Sequence, residues 1–280
     1  MKFARIIPAL LLLYSCHKKT ELREDKLYSR HLQQQETLTI VNTPIPSDKS
    51  TLNLLFLNDG QMMEVLRVKE IVDSLFQLGR IQPLLVVGIH NNNREQEFGV
   101  ADSRDYLNRG TRAKFYEGFI EGELYPYVKK KAGVRKFHSV AIAGFSLGGL
   151  SAFDMAWDNG DKIDKVGVFS GSFWWRDKAV EDTGYSDEKN RIMYAKLKSS
   201  RKRPKLQYWF YAGGAEENGD RDKDGVIDVV DDTQDIVNML IEKKSVQKSD
   251  LVFVVDPNGH HDWPWWSAKL PDFLIWAFGK

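Results

Sequence analysis

The sequence predicts an α/β fold in which a mostly parallel sheet is flanked by helices on both faces. Short apolar runs alternate with longer amphipathic segments along most of the 280 residues. The apolar runs are largely uninterrupted, as is typical of strands that are buried on both faces of a parallel sheet. Because the sequence has neither internal repeats nor a low-complexity linker, we expect one folded domain over residues 37–280.

Each predicted element follows from its local pattern. Residues 37–41 alternate between apolar and polar side chains, and the other predicted strands are apolar runs over residues 52–57, 84–88, 139–143, 165–169, 206–211 and 251–255. Helical spacing extends over residues 68–78, 112–131, 150–157, 185–198, 233–243 and 266–278. Residues 16–36 are polar and charged without a clear strand pattern, which favours a tether that precedes the domain.

The composition excludes several classes of protein. Hydrophobic residues make up 42% and charged residues 28% of the chain, which is typical of a globular protein and not of a disordered tail, a collagen or a polytopic membrane protein. With 40 basic and 39 acidic side chains, the net charge of +1 gives no electrostatic argument for nucleic-acid binding. The single cysteine excludes an intrachain disulfide.

The start of the chain has the anatomy of a secretory signal. Lys2 and Arg5 are basic, and the apolar residues 6–14 are too few for the roughly 20 that a membrane-spanning helix needs. We therefore expect a signal peptide over residues 1–15. Cys16 follows a small residue and resembles the cysteine of a bacterial lipobox, which implies an acylated, exported protein on the periplasmic or outer-membrane side of a Gram-negative bacterium. The alternative is an ordinary signal peptide with an incidental cysteine.

A candidate nucleophile lies between a predicted strand and a predicted helix. Residues 144–148 read Gly-Phe-Ser-Leu-Gly and fit the pattern G-x-S-x-G around Ser146. The small neighbours allow the strand and the helix to pass close together, and the helix start directs its free N–H groups towards the serine. The alternative is a nucleotide-binding turn, but the sequence has neither G-x-G-x-x-G nor a Walker lysine at this point. We expect a nucleophile elbow.

A serine nucleophile of this type needs a histidine base and a carboxylate that orients it, in the chain order Ser, acid, His. His260 and His261 are the only histidines after Ser146, and they follow the predicted strand 251–255. Spacing to the last helix favours His261 as the base. Glu216 and Glu217 follow the predicted strand 206–211, and Glu216 is preferred as the acid. The remaining glutamate and histidine are expected to be solvated loop residues.

Stabilisation of a developing oxyanion needs two backbone N–H groups. One is expected from Leu147, directly after the nucleophile. The other is expected from Gln61, because residues 58–61 read Asn-Asp-Gly-Gln after an early strand and the glycine allows close backbone approach. A plain Asp-Gly turn is the alternative reading of this segment.

Four ordered motifs resemble those of the putative-esterase family, which includes enterochelin esterases, esterase D and the feruloyl and acetyl-xylan esterases of carbohydrate esterase family one. They are LFLNDGQ, GFSLGG, SGSFWW and GHHDWPWWSAKLPDFLIWAF, and the resemblance extends over residues 37–278. It implies an α/β-hydrolase fold without a large lid domain, and ester hydrolysis. It also supports His261, which precedes Asp262 and Trp263, and it supports Glu216, although many members have aspartate there. Trp174 and Trp175 either line the substrate pocket or pack internally.

An aspartate-rich segment fits the template of a calcium-binding loop. Oxygen ligands occupy the alternating positions that such a loop uses, and Gly225 stands at the turn. The candidate ligands are Asp220, Asp222, Asp224, the carbonyl of Val226, Asp228 and Asp231. We expect a structural Ca²⁺ here, and no cofactor for the chemistry itself. The alternative is a solvated acidic turn that caps the following helix.

These features together predict a serine carboxylic-ester hydrolase that acts through an acyl-enzyme. Its substrate is expected to be a small-molecule or glycan ester, namely a sugar-linked, feruloyl, acetyl or siderophore-type ester. An acyltransferase on the same fold is one alternative. A non-catalytic, carbohydrate-binding lipoprotein is another, although the complete set of Ser146, His261 and Glu216 argues against it.

Overall fold

Eight strands form one sheet in a computed structural model that describes residues 20–243 and 245–280. The strands are β1 Glu21–Ser29, β2 Gln34–Asn42, β3 Asn53–Asn58, β4 Leu84–Ile89, β5 Val140–Phe145, β6 Lys165–Phe169, β7 Gln207–Gly213 and β8 Leu251–Asp256. Their order across the sheet is β1-β2-β4-β3-β5-β6-β7-β8. Strands β3 to β8 are parallel, and the hairpin β1–β2 adds to β4 antiparallel. The predicted mostly parallel sheet is confirmed.

Helices cover both faces of the sheet, as predicted. They are α1 Val68–Gln77, α2 Arg94–Glu97, α3 Ala113–Phe119, α4 Tyr125–Ala132, α5 Leu147–Asp158, α6 Asp187–Asn190, α7 Ile192–Ser199, α8 Asp228–Glu242 and α9 Trp263–Phe278. Leu55 and Leu57 of β3 share one core with α1 and α9. Phe56 between them faces the opposite core, to which α3, α4, α5, α7 and α8 contribute. Burial on both sides explains the uninterrupted apolar strands.

Two predicted helices are divided in the structure. The segment 112–131 forms α3 and α4 with a π-helical turn at Ile120–Leu124 between them. The segment 185–198 forms the short α6 and then α7. Among the helices of the described residues, none is both long and apolar enough to cross a lipid bilayer.

The expectation of a tether over residues 16–36 is wrong for its larger part. β1 pairs with β2 along its whole length, from Glu21 opposite Asn42 to Ser29 opposite Gln34. The pattern was hidden because β1 is an edge strand whose first four residues, including Leu22, are exposed. Charged side chains on such a strand discourage pairing with other chains, and they remove the apolar alternation that marks a strand. The signal peptide 1–15 and Cys16 lie outside the described residues.

Candidate active site

The nucleophile elbow has the geometry that its sequence predicts. β5 ends at Phe145, α5 begins at Leu147, and Ser146 between them has φ 52° and ψ −122°. Such a conformation of a non-glycine residue costs about 1–3 kcal/mol and is retained where the surroundings enforce it. A Cβ on Gly144 would lie 2.2 Å from the Gly148 carbonyl oxygen, so a larger residue could not occupy that position. The turn thus raises Ser146 to the carboxyl edge of the sheet.

Hydrogen bonds join the elbow to the end of the neighbouring strand β6 and to the segment that follows it. The backbone N–H of Ser146 donates to the Phe169 carbonyl at 2.8 Å. The N–H of Ser172 in turn donates to the Ser146 carbonyl at 3.2 Å, and the two serine hydroxyl oxygens lie 3.4 Å apart. The segment that follows β6 therefore lies directly beside the candidate nucleophile.

The predicted base and acid form a hydrogen-bonded pair at the same edge of the sheet. Nδ1 of His261 lies 2.7 Å from Oε2 of Glu216. An ionised carboxylate only accepts hydrogen bonds, so Nδ1 carries the proton and Nε2 is left free to accept one. The Glu216 side chain is 1% exposed, whereas that of His261 is 38% exposed. A buried carboxylate therefore orients an imidazole that is partly exposed to solvent.

Two further donors hold Glu216 in place. Its Oε1 accepts hydrogen bonds from the Ser170 hydroxyl at 2.5 Å and from the Gly213 N–H at 2.6 Å. The indole N–H of Trp266 donates to the Ser170 oxygen at 2.8 Å, and the Trp266 ring contacts that of His261 with centroids 4.9 Å apart. Sequence reasoning missed the role of Ser170, although the SGSFWW motif that contains it was recognised.

The close approach of two loops brings Glu216 and His261 together. A Cβ on Gly213 would lie 2.4 Å from the Gly259 carbonyl oxygen, and the Ala215 N–H donates to that oxygen at 2.9 Å. The loop after β7 carries Glu216, and the loop after β8 carries His261. Glycine at both positions lets these backbones touch, which brings residues 45 positions apart into hydrogen-bonding distance.

Glu217 and His260, the alternative acid and base, contact other parts of the molecule. Oε1 of Glu217 accepts the backbone N–H of Val229 at 2.9 Å in the first turn of α8, and burial raises the pKa of this carboxyl. His260 is exposed, with its ring 5.7 Å from that of Trp265. The structure therefore brings together the pair Glu216 and His261.

The two predicted oxyanion donors follow neighbouring parallel strands, β3 and β5. Gln61 lies in the 3₁₀ turn Gly60–Met62, and Leu147 is the first residue of α5. Backbone N–H groups at such helix starts lack partners within the helix. A Cβ on Gly60 would lie 2.3 Å from the Gly88 carbonyl carbon, so the turn needs glycine to reach this position.

The two tryptophans of the SGSFWW segment differ from each other. Trp175 is completely buried, and a Cβ on Gly99 or Gly110 would lie 3.3 Å from its ring. Its assignment to the substrate pocket is therefore wrong, because the side chain is enclosed by backbone. Trp174 is half-buried, with the guanidinium carbons of Arg109 and Arg176 5.8 and 5.9 Å from its ring centroid. It stays a candidate substrate contact.

The aspartate loop brings together three of its five candidate carboxylate ligands. Carboxylate oxygens of Asp220, Asp222 and Asp224 lie within 4.8 Å of one another. Asp228 instead bonds Arg221, accepting its backbone N–H at 2.9 Å and pairing with its guanidinium at 3.0 Å. The contacts with Arg221 thus hold this side chain at the start of α8.

Asp231 and Val226 occupy different parts of the loop. Asp231 lies in the first turn of α8, where burial and the nearby carboxylates raise its pKa to about 6. The exposed Val226 donates its N–H to the Asp224 carboxylate at 2.8 Å. Asp231 does not belong to the group that the other three aspartates form among the described residues.

Comparisons with known proteins agree with this architecture. The model of the family described as "Putative esterase" matches residues 29–277. An iron(III) salmochelin esterase from Escherichia coli is 24% identical over 225 residues, which cover 79% of this chain and 49% of that protein. The chain thus spans about half the length of this curated relative.

Solved structures show the same fold. A ferulic acid esterase has a TM-score of 0.66 and 17% identity, with 93% of this chain and 98% of that one covered. The enterobactin esterase from Shigella flexneri, solved in the presence of enterobactin, has a TM-score of 0.69 and 22% identity, with 94% and 60% covered.

Proposed function

The chain belongs to the putative esterase family and is a carboxylic ester hydrolase, and on this basis we propose that Ser146, His261 and Glu216 form its catalytic triad. The observation that carries the proposal is the 2.7 Å contact between Glu216 and His261, at the sheet edge where Ser146 occupies a strained elbow. Ser170 and Gly213 support it, because they fix the carboxylate that aims the imidazole.

Each residue has a defined part in the proposed reaction. The Ser146 hydroxyl attacks the ester carbonyl carbon while Nε2 of His261 takes its proton. The N–H groups of Gln61 and Leu147 stabilise the oxyanion of the tetrahedral intermediate. The imidazolium then protonates the leaving alcohol, and an acyl-enzyme remains on Ser146. Water, activated by the neutral His261, releases the acid and restores the serine.

Glu216 acts through His261 and does not contact substrate. Its carboxylate holds the proton on Nδ1, so that Nε2 can serve as the base, and it stabilises the imidazolium that forms during attack. The low exposure of Glu216 strengthens this electrostatic effect, because little water screens the carboxylate.

The substrate is proposed to be a feruloyl, acetyl, sugar-linked or siderophore-type ester. Relatives named for ferulic acid, salmochelin and enterobactin support this class. The partly exposed His261 and Trp174 also support it, because an open site admits a bulky alcohol or acyl group and the indole offers a flat surface to a ring.

An ester panel tests the activity and its substrate class. Wild type and Ser146→Ala would be compared on nitrophenyl acetate, feruloyl, acetyl-xylan and siderophore esters. We expect a burst of chromophore, turnover on at least one natural class, and no turnover by the variant. Wild-type levels of hydrolysis by a folded Ser146→Ala protein would refute the assignment to Ser146.

A structural Ca²⁺ in the aspartate loop is a second part of the proposal. The convergent oxygens of Asp220, Asp222 and Asp224 fit a hard cation, which takes six to eight oxygen ligands. The remaining ligands would come from the Val226 carbonyl, Asp231 and water. Asp228 is removed from this set because Arg221 binds it.

Export and lipidation at Cys16 are the third part. The apolar segment and the single cysteine of the sequence support them. Cell fractionation and intact mass of the mature chain would test this part, with Cys16→Ser as the control. We expect the wild type in the membrane fraction with an acylated N-terminus, and the variant released from it. Equal distribution of the two proteins would contradict the lipid anchor.

A further inference from the structure

An ion pair between a buried carboxylate and a partly exposed guanidinium lies next to the elbow. Asp59 is 1% exposed and has φ 60° and ψ 45°, a left-handed conformation that is uncommon for a residue other than glycine. Arg94, from α2, binds both of its carboxylate oxygens, with Nε 2.9 Å from Oδ1 and Nη2 3.2 Å from Oδ2. This planar, bidentate geometry is one that lysine cannot reproduce.

The same guanidinium also binds the elbow. Nη2 of Arg94 donates to the Phe145 carbonyl at 3.1 Å. Asp59 is two residues before Gln61, and Phe145 is two residues before Leu147. One side chain therefore links the two segments whose backbone N–H groups are the proposed oxyanion donors.

Asn58 makes a second link between these segments. Its Nδ2 donates to the Gly148 carbonyl at 2.8 Å, and its Oδ1 accepts the hydroxyl of Tyr116 at 2.8 Å. A Cβ on Gly148 would lie 2.8 Å from Oδ2 of Asp59, so the carboxylate packs directly against the elbow. These contacts leave little freedom for one segment to move relative to the other.

A charged Asp59 costs free energy at this position, because burial raises the pKa of its carboxyl. Arg94 and Gln61 act in the opposite direction and lower this pKa. Replacing an ion pair such as that of Asp59 and Arg94 with apolar side chains is often neutral or stabilising, so its presence is weak evidence for stability alone. Arg94 instead donates three hydrogen bonds, two to Asp59 and one to Phe145, and both residues lie in the segments that carry the proposed donors.

We propose that Asp59 and Arg94 are positioning residues that set the separation and direction of the N–H groups of Gln61 and Leu147. The inference rests on the proposed function, because it assigns those groups to the oxyanion. Donors contribute most when they are fixed where negative charge develops. Loss of the pair should therefore weaken transition-state stabilisation and leave ground-state substrate binding almost unchanged.

The test compares Arg94→Ala with the wild type on a nitrophenyl ester. We expect kcat to fall about 100-fold, as for loss of one oxyanion donor, while KM changes less than about threefold. N-ethylguanidine should restore part of kcat, because Arg94 is 36% exposed and its site can be reached from solvent. Propylamine, which carries charge without the planar fork, should restore much less.

Lys196→Ala is the matched control. It removes a partly buried ion pair between Lys196 of α7 and Asp154, the eighth residue of α5, a pair that contacts neither Asp59 nor Phe145. Its melting temperature should fall and its kcat should stay within about threefold of wild type. If Arg94→Ala does not fold, Arg94→Lys provides the same test, with kcat expected about tenfold lower and KM unchanged.

Two results would overturn the inference. The first is a folded Arg94 variant whose kcat is as high as that of Lys196→Ala. The other is a loss of kcat that propylamine restores as well as N-ethylguanidine does. Ser146→Ala separates these results from failure of the proposed function, because only that failure would leave Ser146→Ala active.

Discussion

One carboxylate and a group of three others, all in the connection between β7 and α8, have opposite environments. Glu216 is almost completely buried and receives hydrogen bonds from Ser170, Gly213 and His261. The group of Asp220, Asp222 and Asp224 begins only four residues later, is half-buried to exposed, and has its oxygens directed towards one another.

The difference lies in what offsets the negative charge: hydrogen-bond donors of the protein for Glu216, and, among the described residues, only donors of the loop itself for the aspartates. Protein donors satisfy the carboxylate of Glu216, so it can hold His261 without an added ion. The aspartates accept N–H groups of their own loop, such as that of Gly225 at 3.1 Å from Asp220, but their mutual repulsion remains. A cation would remove that repulsion and so stabilise the loop that follows Glu216.

The largest effect is expected for the base. His261→Ala should lower kcat by on the order of 10⁴- to 10⁶-fold, because Ser146 would lose its proton acceptor. His260→Ala, one residue away and exposed, should change kcat less than about tenfold. Steady-state kinetics on one nitrophenyl ester would compare them, and the reverse ranking would assign the base to His260.

A smaller effect is expected for the acid. Glu216→Gln should lower kcat by about 10²- to 10⁴-fold, because an amide presents the wrong hydrogen-bonding partner to Nδ1 and removes the charge that stabilises the imidazolium. Glu217→Gln, which alters the side chain that accepts the N–H of Val229 in α8, should retain most of the activity. Similar losses in both variants would indicate that disruption of the loop, and not the Glu216 carboxylate, accounts for the effect.

The smallest effect is expected at the aspartate loop. Chelation or Asp224→Ala should lower the melting temperature by about 5 °C and kcat several-fold, with less change in KM. Added Ca²⁺ should reverse chelation but not the substitution. The exposed Asp161→Ala is the matched control and should keep the calcium response. Melting curves and rates that are insensitive to both chelator and Ca²⁺ would identify the loop as a solvated acidic turn.

Local patterns were sufficient to predict most of the fold, and together with the family resemblance they selected Glu216 and His261, which form a hydrogen-bonded pair. The buried strands are apolar runs, and the elbow glycines are required by contacts as short as the 2.2 Å at Gly144. β1 was missed because an exposed edge strand needs no apolar face. The burial of Trp175 depends on Gly99 and Gly110, which are distant in sequence, so no local pattern could reveal it.

Other features depended on pairings between distant residues. The contact of Arg94 with Asp59 spans 35 positions, and that of Ser170 with Glu216 spans 46. The loop template assigned Asp228 to a metal because it considers only spacing, whereas Arg221 at the second loop position competes for that carboxylate. Competition of this kind becomes visible only when side-chain directions are known.

Covalent trapping of the nucleophile tests the central claim most directly. Wild type and Ser146→Ala would be treated with an alkyl nitrophenyl phosphonate, and the adduct would be located by peptide mass spectrometry. Attack by the activated serine should release nitrophenol and leave a phosphonyl group on Ser146, with no adduct on the variant. An active wild-type enzyme that carries its adduct on another residue, or equal labelling of Ser146→Ala, would contradict the account.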